Sequence, residues 1–191
     1  MAPLYHSAMR FAAPVRKALG VKTVMNVLGP LLNPSCPDYQ VLGVYSHELL
    51  ETYARAAKAL GAKRVMVIAS RDGYDEISPC ALTDVFQIDG NGNETRYVID
   101  PAKFGIEGVD ESELLGGSGA DNAKLAMDVL NGNGKKTIRA SIGLNTGAVL
   151  YLSGKTKTLK EGYDMALAAL DSGKALKKLQ EIQAVSKELA G

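Results

Sequence analysis

The decisive stretch of this sequence is Val65-Met66-Val67-Ile68-Ala69, followed closely by Arg71-Asp72-Gly73-Tyr74-Asp75-Glu76. Consecutive apolar residues within Lys63 to Ala69 predict a strand that is covered on both faces. The acidic run then falls on a loop just past that strand. Ligands of open α/β sheets bind beyond the carboxyl ends of strands, and paired carboxylates suit Mg²⁺ held against substrate phosphates. We therefore interpret Asp75 and Glu76 as candidate ligands of Mg²⁺. The plainer alternative is a solvated turn, because Asp-Gly-Tyr-Asp is a common turn composition.

The segments around this strand follow an α/β pattern. Leu42 to Tyr45 predicts a short strand, and Ser46 is placed to cap a helix that ends at Gly61. Strand, helix and strand in this order predict a parallel pair with a right-handed crossover. Val85 to Ile88 and Thr95 to Ile99 flank a turn rich in Gly and Asn, which predicts a hairpin.

Both ends of the chain are predicted to be helical. Ala8 to Leu19 has helical spacing, with Gly20 as its stop and Pro14 expected to break the helix or begin a fresh turn. A capping box is predicted from Thr158 to Glu161. Four helices are predicted after the hairpin, over Asp121 to Leu130, Thr137 to Leu152, Leu159 to Leu170 and Lys174 to Leu189.

These elements predict the α/β class, with a layered, mostly parallel sheet flanked by helices and a helical C-terminal part. Only two strands are firmly predicted to be parallel, whereas a sheet of about five or six strands is typical. We therefore expect that strands on the N-terminal side are missing from this sequence.

Length and composition narrow the class of protein. The 191 residues favour one domain, and the net charge of +1 gives no bulk attraction to nucleic acid or to an anionic membrane. No apolar run approaches the roughly 18 residues of a membrane span, and the first residues do not resemble a secretory signal. Cys36 and Cys80 permit one disulfide, but without a secretion signal free thiols are favoured. The cytoplasm is the expected compartment.

Two segments upstream of the first strand supply further candidates. His6 and Arg16 lie ten residues apart, so on a continuous helix both project from one side, where a guanidinium can bind a carboxylate. Alternatively, Arg16 belongs to a solvated face and His6 caps the helix. Asn26 to Pro34 carries two prolines and a glycine, which favours a rigid loop against a flat ligand or, more plainly, a buried connection.

One glycine-rich segment could be taken for a phosphate-binding loop, but it does not match the known phosphate-binding motifs. Leu115 to Gly119 precedes a predicted helix, whose N-terminus could receive a phosphate. The segment fits neither the dinucleotide fingerprint nor the Walker pattern. A plain loop and helix start is therefore favoured. His47, next to the predicted cap Ser46, is expected to be exposed.

Taken in order, these segments resemble anthranilate phosphoribosyltransferase, a family of the nucleoside phosphorylase-like class. The strings Leu28-Gly29-Pro30-Leu31-Leu32-Asn33-Pro34 and Asp72-Gly73-Tyr74-Asp75-Glu76 carry most of the specificity. The remaining matches are His6 to Met9, Pro14 to Arg16, Thr23 to Val27, Leu42 to Tyr45, Leu115 to Gly117, Asn122, Leu144-Asn145, Glu161 to Tyr163 and Asp171 to Gly173. The resemblance thus covers essentially the whole chain.

The resemblance implies transfer of the phosphoribosyl group of PRPP to the amine of anthranilate, with release of pyrophosphate, in tryptophan biosynthesis. It implies that Arg16 holds the anthranilate carboxylate, that His6 lines the same channel, and that Gly29 and Pro30 bound the aromatic pocket. Mg²⁺ on the pyrophosphate of PRPP is assigned to Asp75 and Glu76. No side chain is assigned as a strong base, since positioning and charge neutralisation are expected to dominate.

The resemblance also implies what this sequence lacks. The family pattern has an N-terminal helical domain, a Gly-Thr-Gly-Gly-Asp loop that cradles pyrophosphate, and a Lys-His-Gly-Asn stretch, and none of these strings occurs here. Residues 1–191 are therefore expected to be the C-terminal part of the large α/β catalytic domain, truncated at the N-terminus and inactive alone. Ser7 and Met25 depart from the family pattern, where proline and phenylalanine are usual.

Partners and alternatives follow from the same resemblance. A homodimer is expected of the full-length protein, and an anthranilate synthase or amidotransferase is a candidate partner. A pyrimidine nucleoside phosphorylase of the same fold is one alternative function. A non-catalytic binding or assembly module is the other.

Overall fold

The computed structural model describes residues 9–21 and 28–190, without the side chains at positions 9, 10, 12, 13, 16 and 190. Among these residues, no helix is both long enough and apolar enough to cross a membrane. The described chain forms helices and strands in the order α1 (Met9–Leu19), β1 (Tyr39–Gly43), α2 (Leu50–Ala59), β2 (Arg64–Ser70), β3 (Thr83–Ile88), β4 (Glu94–Ile99), α3 (Gly119–Leu130), α4 (Lys136–Leu152), α5 (Leu159–Asp171) and α6 (Lys174–Ala190). Short 3₁₀ turns lie at Gly29–Leu31, His47–Leu49, Pro101–Phe104 and Glu111–Leu114.

The described strands form one mixed sheet in the order β1-β2-β3-β4. β1 and β2 run parallel, with Gly43 opposite Ile68. β2 with β3 and β3 with β4 run antiparallel, and Ser70 lies opposite Thr83. The carboxyl ends of β1 and β2 therefore lie at the same edge of the sheet, where the acidic run leaves β2.

Two apolar layers cover the sheet, because alternate side chains of a strand point to opposite faces. Val65, Val67 and Ala69 of β2 belong to a core that includes Leu50, Tyr53, Ala54 and Ala57 of α2. Met66 and Ile68 belong to the other core, together with Ala140, Leu144, Ala148 and Leu152 of α4. β2 is thus buried from both sides, as its consecutive apolar residues predict.

Helix α4 packs closely against α5 through glycines. A Cβ added at Gly147 would lie 2.6 Å from the backbone nitrogen of Tyr163, and one at Gly162 would lie 2.3 Å from the carbonyl oxygen of Gly147. Both distances are shorter than a Cβ can tolerate, so the two helix backbones touch here. This contact fixes α4, which also supports the acidic loop.

The predicted α/β class, with helices flanking a sheet, is confirmed. The expectation of a mostly parallel sheet needs correction, because among the described strands only β1 and β2 pair in parallel. The physical reason is the way the strands are connected. Two parallel strands need a long crossover connection, usually a helix, and no α-helix of the described residues lies between β2 and β4. The predicted hairpin between β3 and β4 is confirmed.

Three local predictions also need correction. Helix α1 runs through Pro14, which is exposed, so the loss of one backbone hydrogen bond does not end the helix. The Ser46 side chain makes no capping bond; the 3₁₀ turn closes instead through the Leu49 N–H and the Ser46 carbonyl. At α5 the Thr158 hydroxyl caps as predicted, but the Glu161 carboxylate accepts the Lys157 N–H rather than that of Thr158.

Other local predictions are confirmed. Helix α1 ends before Gly20, whose φ of +63° is the left-handed conformation that stops helices. Cys36 and Cys80 are both free.

Candidate functional site

The acidic run lies on the loop of residues 71–82, which joins the antiparallel neighbours β2 and β3. Because Ser70 pairs with Thr83, the loop leaves and re-enters the sheet at the carboxyl edge of β2. Asp75 and Glu76 are both exposed there. The predicted location past the end of a buried strand is therefore confirmed.

The loop rests directly on the end of β1 at Gly43. A Cβ added to Gly43 would lie 1.6 Å from the carbonyl oxygen of Asp75 and 3.0 Å from its Cβ. Only glycine leaves room for the main chain of Asp75 to approach β1 this closely. Gly43 thus sets the height of the acidic pair above the sheet.

Hydroxyl groups close the base of the loop. The Ser78 hydroxyl donates to Asp72 Oδ2 at 2.5 Å and accepts the Cys80 N–H at 3.0 Å. The Thr83 hydroxyl accepts the Ser78 N–H at 3.3 Å and donates to Ser70 Oγ at 3.4 Å. Asp72 Oδ1 is buried and has no hydrogen-bond partner among the described residues. The base is therefore a polar network beneath an exposed acidic tip.

Helix α4 holds the loop immediately after Glu76. Ile77 is 1% exposed and packs in the same core as Leu144 and Ala148. Its N–H donates to Asn145 Oδ1 at 2.9 Å, and its carbonyl accepts from Asn145 Nδ2 at 3.0 Å. The acidic pair is consequently fixed between α4 and the end of β1.

The electrostatics of the loop suit a cation. Burial, then the charge of Asp75 and a hydrogen bond with it, raise the pKa of the Glu76 carboxyl. Desolvation, followed by the charge of Glu111, raises the pKa of the Tyr74 phenol. Burial is the larger cause of both pKa shifts, and the neighbouring carboxylates add to it. A cation bound to these carboxylates would oppose both effects, because it favours their charged form.

The donor set fits Mg²⁺ rather than a metal held by protein alone. The acidic pair offers only oxygen ligands, and the described residues contain no group of three or more His, Cys, Asp or Glu that could hold an ion. Mg²⁺ typically binds through one or two carboxylates and takes its remaining ligands from water and substrate phosphates. Asp75 and Glu76 therefore fit a magnesium ion shared with a phosphate ligand.

A second ionic cluster ties the neighbouring segments together. Arg71 donates to both carboxylate oxygens of Asp84, at 3.0 and 2.8 Å, and these bonds are the main cause of the lowered pKa of Asp84. His47 Nδ1 lies 2.9 Å from Asp84 Oδ2. The His47 side chain is 49% exposed, which confirms its predicted exposure. The cluster joins the turn after β1, the start of the acidic loop and β3.

The other predicted binding residues lie partly outside the described structure. His6 lies outside the described residues, and so does the side chain of Arg16, whose backbone belongs to α1. Gly29 and Pro30 are exposed and form a 3₁₀ turn with Leu31, which packs against the core that α2 covers. Of the predicted site residues, the structure thus describes Gly29, Pro30, Asp75 and Glu76 in full.

The glycine-rich segment before α3 caps its own helix. Ser118 and Asp121 form a capping box, and the Gly117 N–H donates to Asn122 Oδ1 at 2.9 Å. The helix N-terminus is therefore satisfied by its own side chains, in agreement with the predicted loop and helix start.

Sequence reasoning missed Gly43 and Asn145 as supports of the acidic pair. Both lie inside strings that carry the family resemblance, Leu42 to Tyr45 and Leu144-Asn145. Their partners lie far away along the chain, so no local pattern identifies the contacts.

Comparison with known proteins adds an independent finding. A family profile described as "Glycosyl transferase family, a/b domain" matches residues 1–176. The anthranilate phosphoribosyltransferase of Shewanella amazonensis is 42% identical over 187 residues, which cover 98% of this chain and 54% of that protein. That of Tolumonas auensis is 43% identical over 185 residues, covering 97% and 54%. The chain thus spans about half the length of the curated relatives it matches.

Solved structures show the same likeness. The anthranilate phosphoribosyltransferase of Thermus thermophilus has a TM-score of 0.81 and 37% identity, covering 94% of this chain and 53% of that one. The enzyme of Saccharomyces cerevisiae in complex with PRPP and Mg has a TM-score of 0.86 and 34% identity, covering 97% and 53%. A further structure of the yeast enzyme contains 4-fluoroanthranilate. The described fold is therefore shared with these chains over nearly its whole extent.

Proposed function

The chain belongs to the glycosyl transferase family through its a/b domain, and we propose that it is part of an enzyme that transfers the phosphoribosyl group of PRPP to the amine of anthranilate. The observation that carries the proposal is the exposed Asp75–Glu76 pair, fixed at the carboxyl edge of β2. The relatives described above are named for this reaction, and the yeast structure with PRPP and Mg shares the fold.

In this proposal Asp75 and Glu76 hold Mg²⁺ on the pyrophosphate of PRPP. The bound ion would neutralise the charge that grows on pyrophosphate as it leaves. The two carboxylates place that positive charge at a fixed height, because the main chain of Asp75 rests on Gly43. Their own contribution is thus to position charge rather than to move a proton.

The acceptor side of the proposal rests on residues upstream of β1. Arg16 binds the anthranilate carboxylate with its guanidinium, a pairing that is bidentate in favourable geometry. His6 lines the same channel, and Gly29 with Pro30 bounds the aromatic pocket. The exposed Gly-Pro turn, anchored to the core by Leu31, supports this role for Gly29 and Pro30.

The proposal also concerns the domain to which this chain belongs, its compartment and its partners. Residues 1–191 correspond to the C-terminal part of the large α/β domain of these enzymes, acting in the cytoplasm in tryptophan biosynthesis. A homodimer of the longer protein and an anthranilate synthase or amidotransferase partner belong to the same proposal. A pyrimidine nucleoside phosphorylase is not favoured, because the relatives and structures described above are named for anthranilate.

The test is divalent-cation binding to the chain as it stands. Mn²⁺ is titrated in the presence of inorganic pyrophosphate and followed by electron paramagnetic resonance. The double variant Asp75→Asn with Glu76→Gln is expected to bind Mn²⁺ at least about tenfold more weakly than the wild type. Glu107→Gln is the matched control, because Glu107 is also an exposed carboxylate and lies outside the proposed site.

Equal Mn²⁺ affinity of the double variant and the wild type would overturn the metal role. Anthranilate fluorescence with PRPP and Mg²⁺ added tests turnover in parallel. We expect little or none from these 191 residues, because they contain no Gly-Thr-Gly-Gly-Asp string. Turnover within the usual enzyme range of about 1–10³ s⁻¹ would contradict that expectation.

A further inference from the structure

The peptide that follows the acidic pair is held by one side chain of α4. Asn145 Oδ1 accepts the Ile77 N–H at 2.9 Å, and Asn145 Nδ2 donates to the Ile77 carbonyl at 3.0 Å. The same Nδ2 also donates to the Ser141 carbonyl at 2.9 Å, one turn earlier in α4. Both amide hydrogens and the amide oxygen of Asn145 are therefore used.

The two bonds from Asn145 take the place of a neighbouring strand for the Ile77 main chain. Within the sheet, β2 receives its backbone hydrogen bonds from β1 and β3, and one further bond joins Arg71 to Leu82, but Ile77 lies beyond that pairing. A side-chain amide that bonds both the N–H and the carbonyl of one residue supplies the two bonds that a neighbouring strand would give. It fixes the orientation of the peptide plane as well as its position.

The burial of Ile77 alone would not fix that orientation. Its side chain is 1% exposed and lies in the core with Leu144, which sets how deep the loop sits. An apolar contact is non-directional, so the main chain could still rotate about this anchor. Such a rotation would swing the carboxylate of Glu76, the preceding residue, away from that of Asp75, with which it now forms a hydrogen bond.

We propose that Asn145 is a positioning residue for the cation site, holding Glu76 beside Asp75 by clamping the Ile77 peptide. The inference rests on the proposed function, since it concerns the same carboxylates. Asn145 acts through backbone bonds and does not itself bind the cation. Removing a residue that positions a metal ligand without touching the metal typically lowers metal affinity about 10–100-fold.

The test compares two amide clamps in the same protein. Asn145→Leu removes both bonds to Ile77 and keeps the number and branching of the side-chain heavy atoms. Asn122→Leu is the matched control, because Asn122 bonds the N–H and the carbonyl of Gly117 in the same way, at 2.9 and 3.4 Å, on a different loop. Mn²⁺ affinity with pyrophosphate and hydrogen exchange of the Ile77 amide are measured for both variants and for the wild type.

Asn145→Leu is expected to weaken Mn²⁺ binding at least about tenfold and to speed exchange of the Ile77 amide, with a cooperative unfolding transition retained. Asn122→Leu is expected to leave both readouts unchanged. Should Asn145→Leu fail to fold, it is replaced by Asn145→Ser, whose shorter side chain cannot bond both groups, and the same criteria apply.

The outcomes separate this inference from the function on which it rests. Wild-type Mn²⁺ binding that depends on Asp75 and Glu76 but is unchanged within about twofold in the Asn145 variant overturns the positioning role alone. Equal losses in the Asn145 and Asn122 variants would show a general effect on stability and overturn it as well. Absence of wild-type binding overturns both the inference and the metal role.

Discussion

Substitution of Gly43 by alanine probes the contact that seats the acidic loop. The added Cβ would lie 1.6 Å from the Asp75 carbonyl oxygen, whereas Cβ atoms essentially never approach within 3.0 Å. The loop or the end of β1 must therefore move by about 1.4 Å, the difference between these two distances. The obstructing atom belongs to the main chain, so no side-chain rotation relieves the overlap.

Two opposing terms set the size of the effect. Overpacking of this kind typically costs about 1–3 kcal/mol. Alanine is preferred over glycine in a strand by about 0.5–1 kcal/mol, which offsets part of the cost. We expect a net loss of about 1–2 kcal/mol in the free energy of unfolding. A shift of more than an ångström in one carboxylate of the pair should also weaken Mn²⁺ binding by at least about tenfold.

Urea unfolding and the Mn²⁺ titration with pyrophosphate measure the two quantities. Gly119→Ala is the matched control, since a Cβ at Gly119 meets no atom within 4 Å and its φ lies outside the left-handed range. The control should keep the wild-type Mn²⁺ affinity. If Gly43→Ala unfolds and binds Mn²⁺ as the wild type does, the close approach of β1 and the loop does not position the site.

Three further outcomes are expected. Hydrogen bonds from Arg71 lower the pKa of Asp84 in the folded state. The ionised carboxylate therefore stabilises the fold at pH values above its ordinary pKa of 3.8. This stabilisation is lost as the pH falls through the lower pKa of the folded state. Asp84→Asn should therefore flatten the decline of stability as the pH falls below 3.8 in urea titrations, and an unchanged slope would contradict the role of the ion pair. Gly147→Ala should destabilise the fold by about 1–3 kcal/mol, because its Cβ would lie 2.6 Å from the Tyr163 nitrogen; an unchanged thermal midpoint would refute the α4–α5 contact. The apolar residues near the end of α6 should drive self-association, since Leu189 is 83% exposed, and Leu189→Glu should reduce the mass seen by light scattering; a strictly monomeric wild type would be the opposite result.

Much of the fold follows from short-range patterns. The consecutive apolar residues of β2 predict a strand buried on both faces, and the structure places Val65 and Met66 in opposite cores. The hairpin of β3 and β4 follows from its Gly- and Asn-rich turn. Capping and glycine signals place most helix ends within a few residues. These features depend on neighbours in sequence, which a single chain displays directly.

The position of the candidate cation site was also predictable, but its construction was not. An acidic run after a buried strand indicates an exposed loop at a sheet edge, and Asp75 and Glu76 lie there. Nothing in that run shows that it joins two antiparallel strands. The direction of β3 depends on whether its path back to the sheet includes a crossover, which the composition of residues 71–82 leaves open.

By itself, the sequence determined the α/β class, the buried strand, the hairpin and the exposed acidic pair, because each is encoded by residues within a few positions of one another. Only the tertiary structure decided that Gly43 seats the main chain of Asp75 and that Asn145 clamps Ile77 across 68 positions of chain. Such contacts depend on the packing of β1, β2 and α4 into one body. A distance between residues far apart in sequence exists only once that packing is complete.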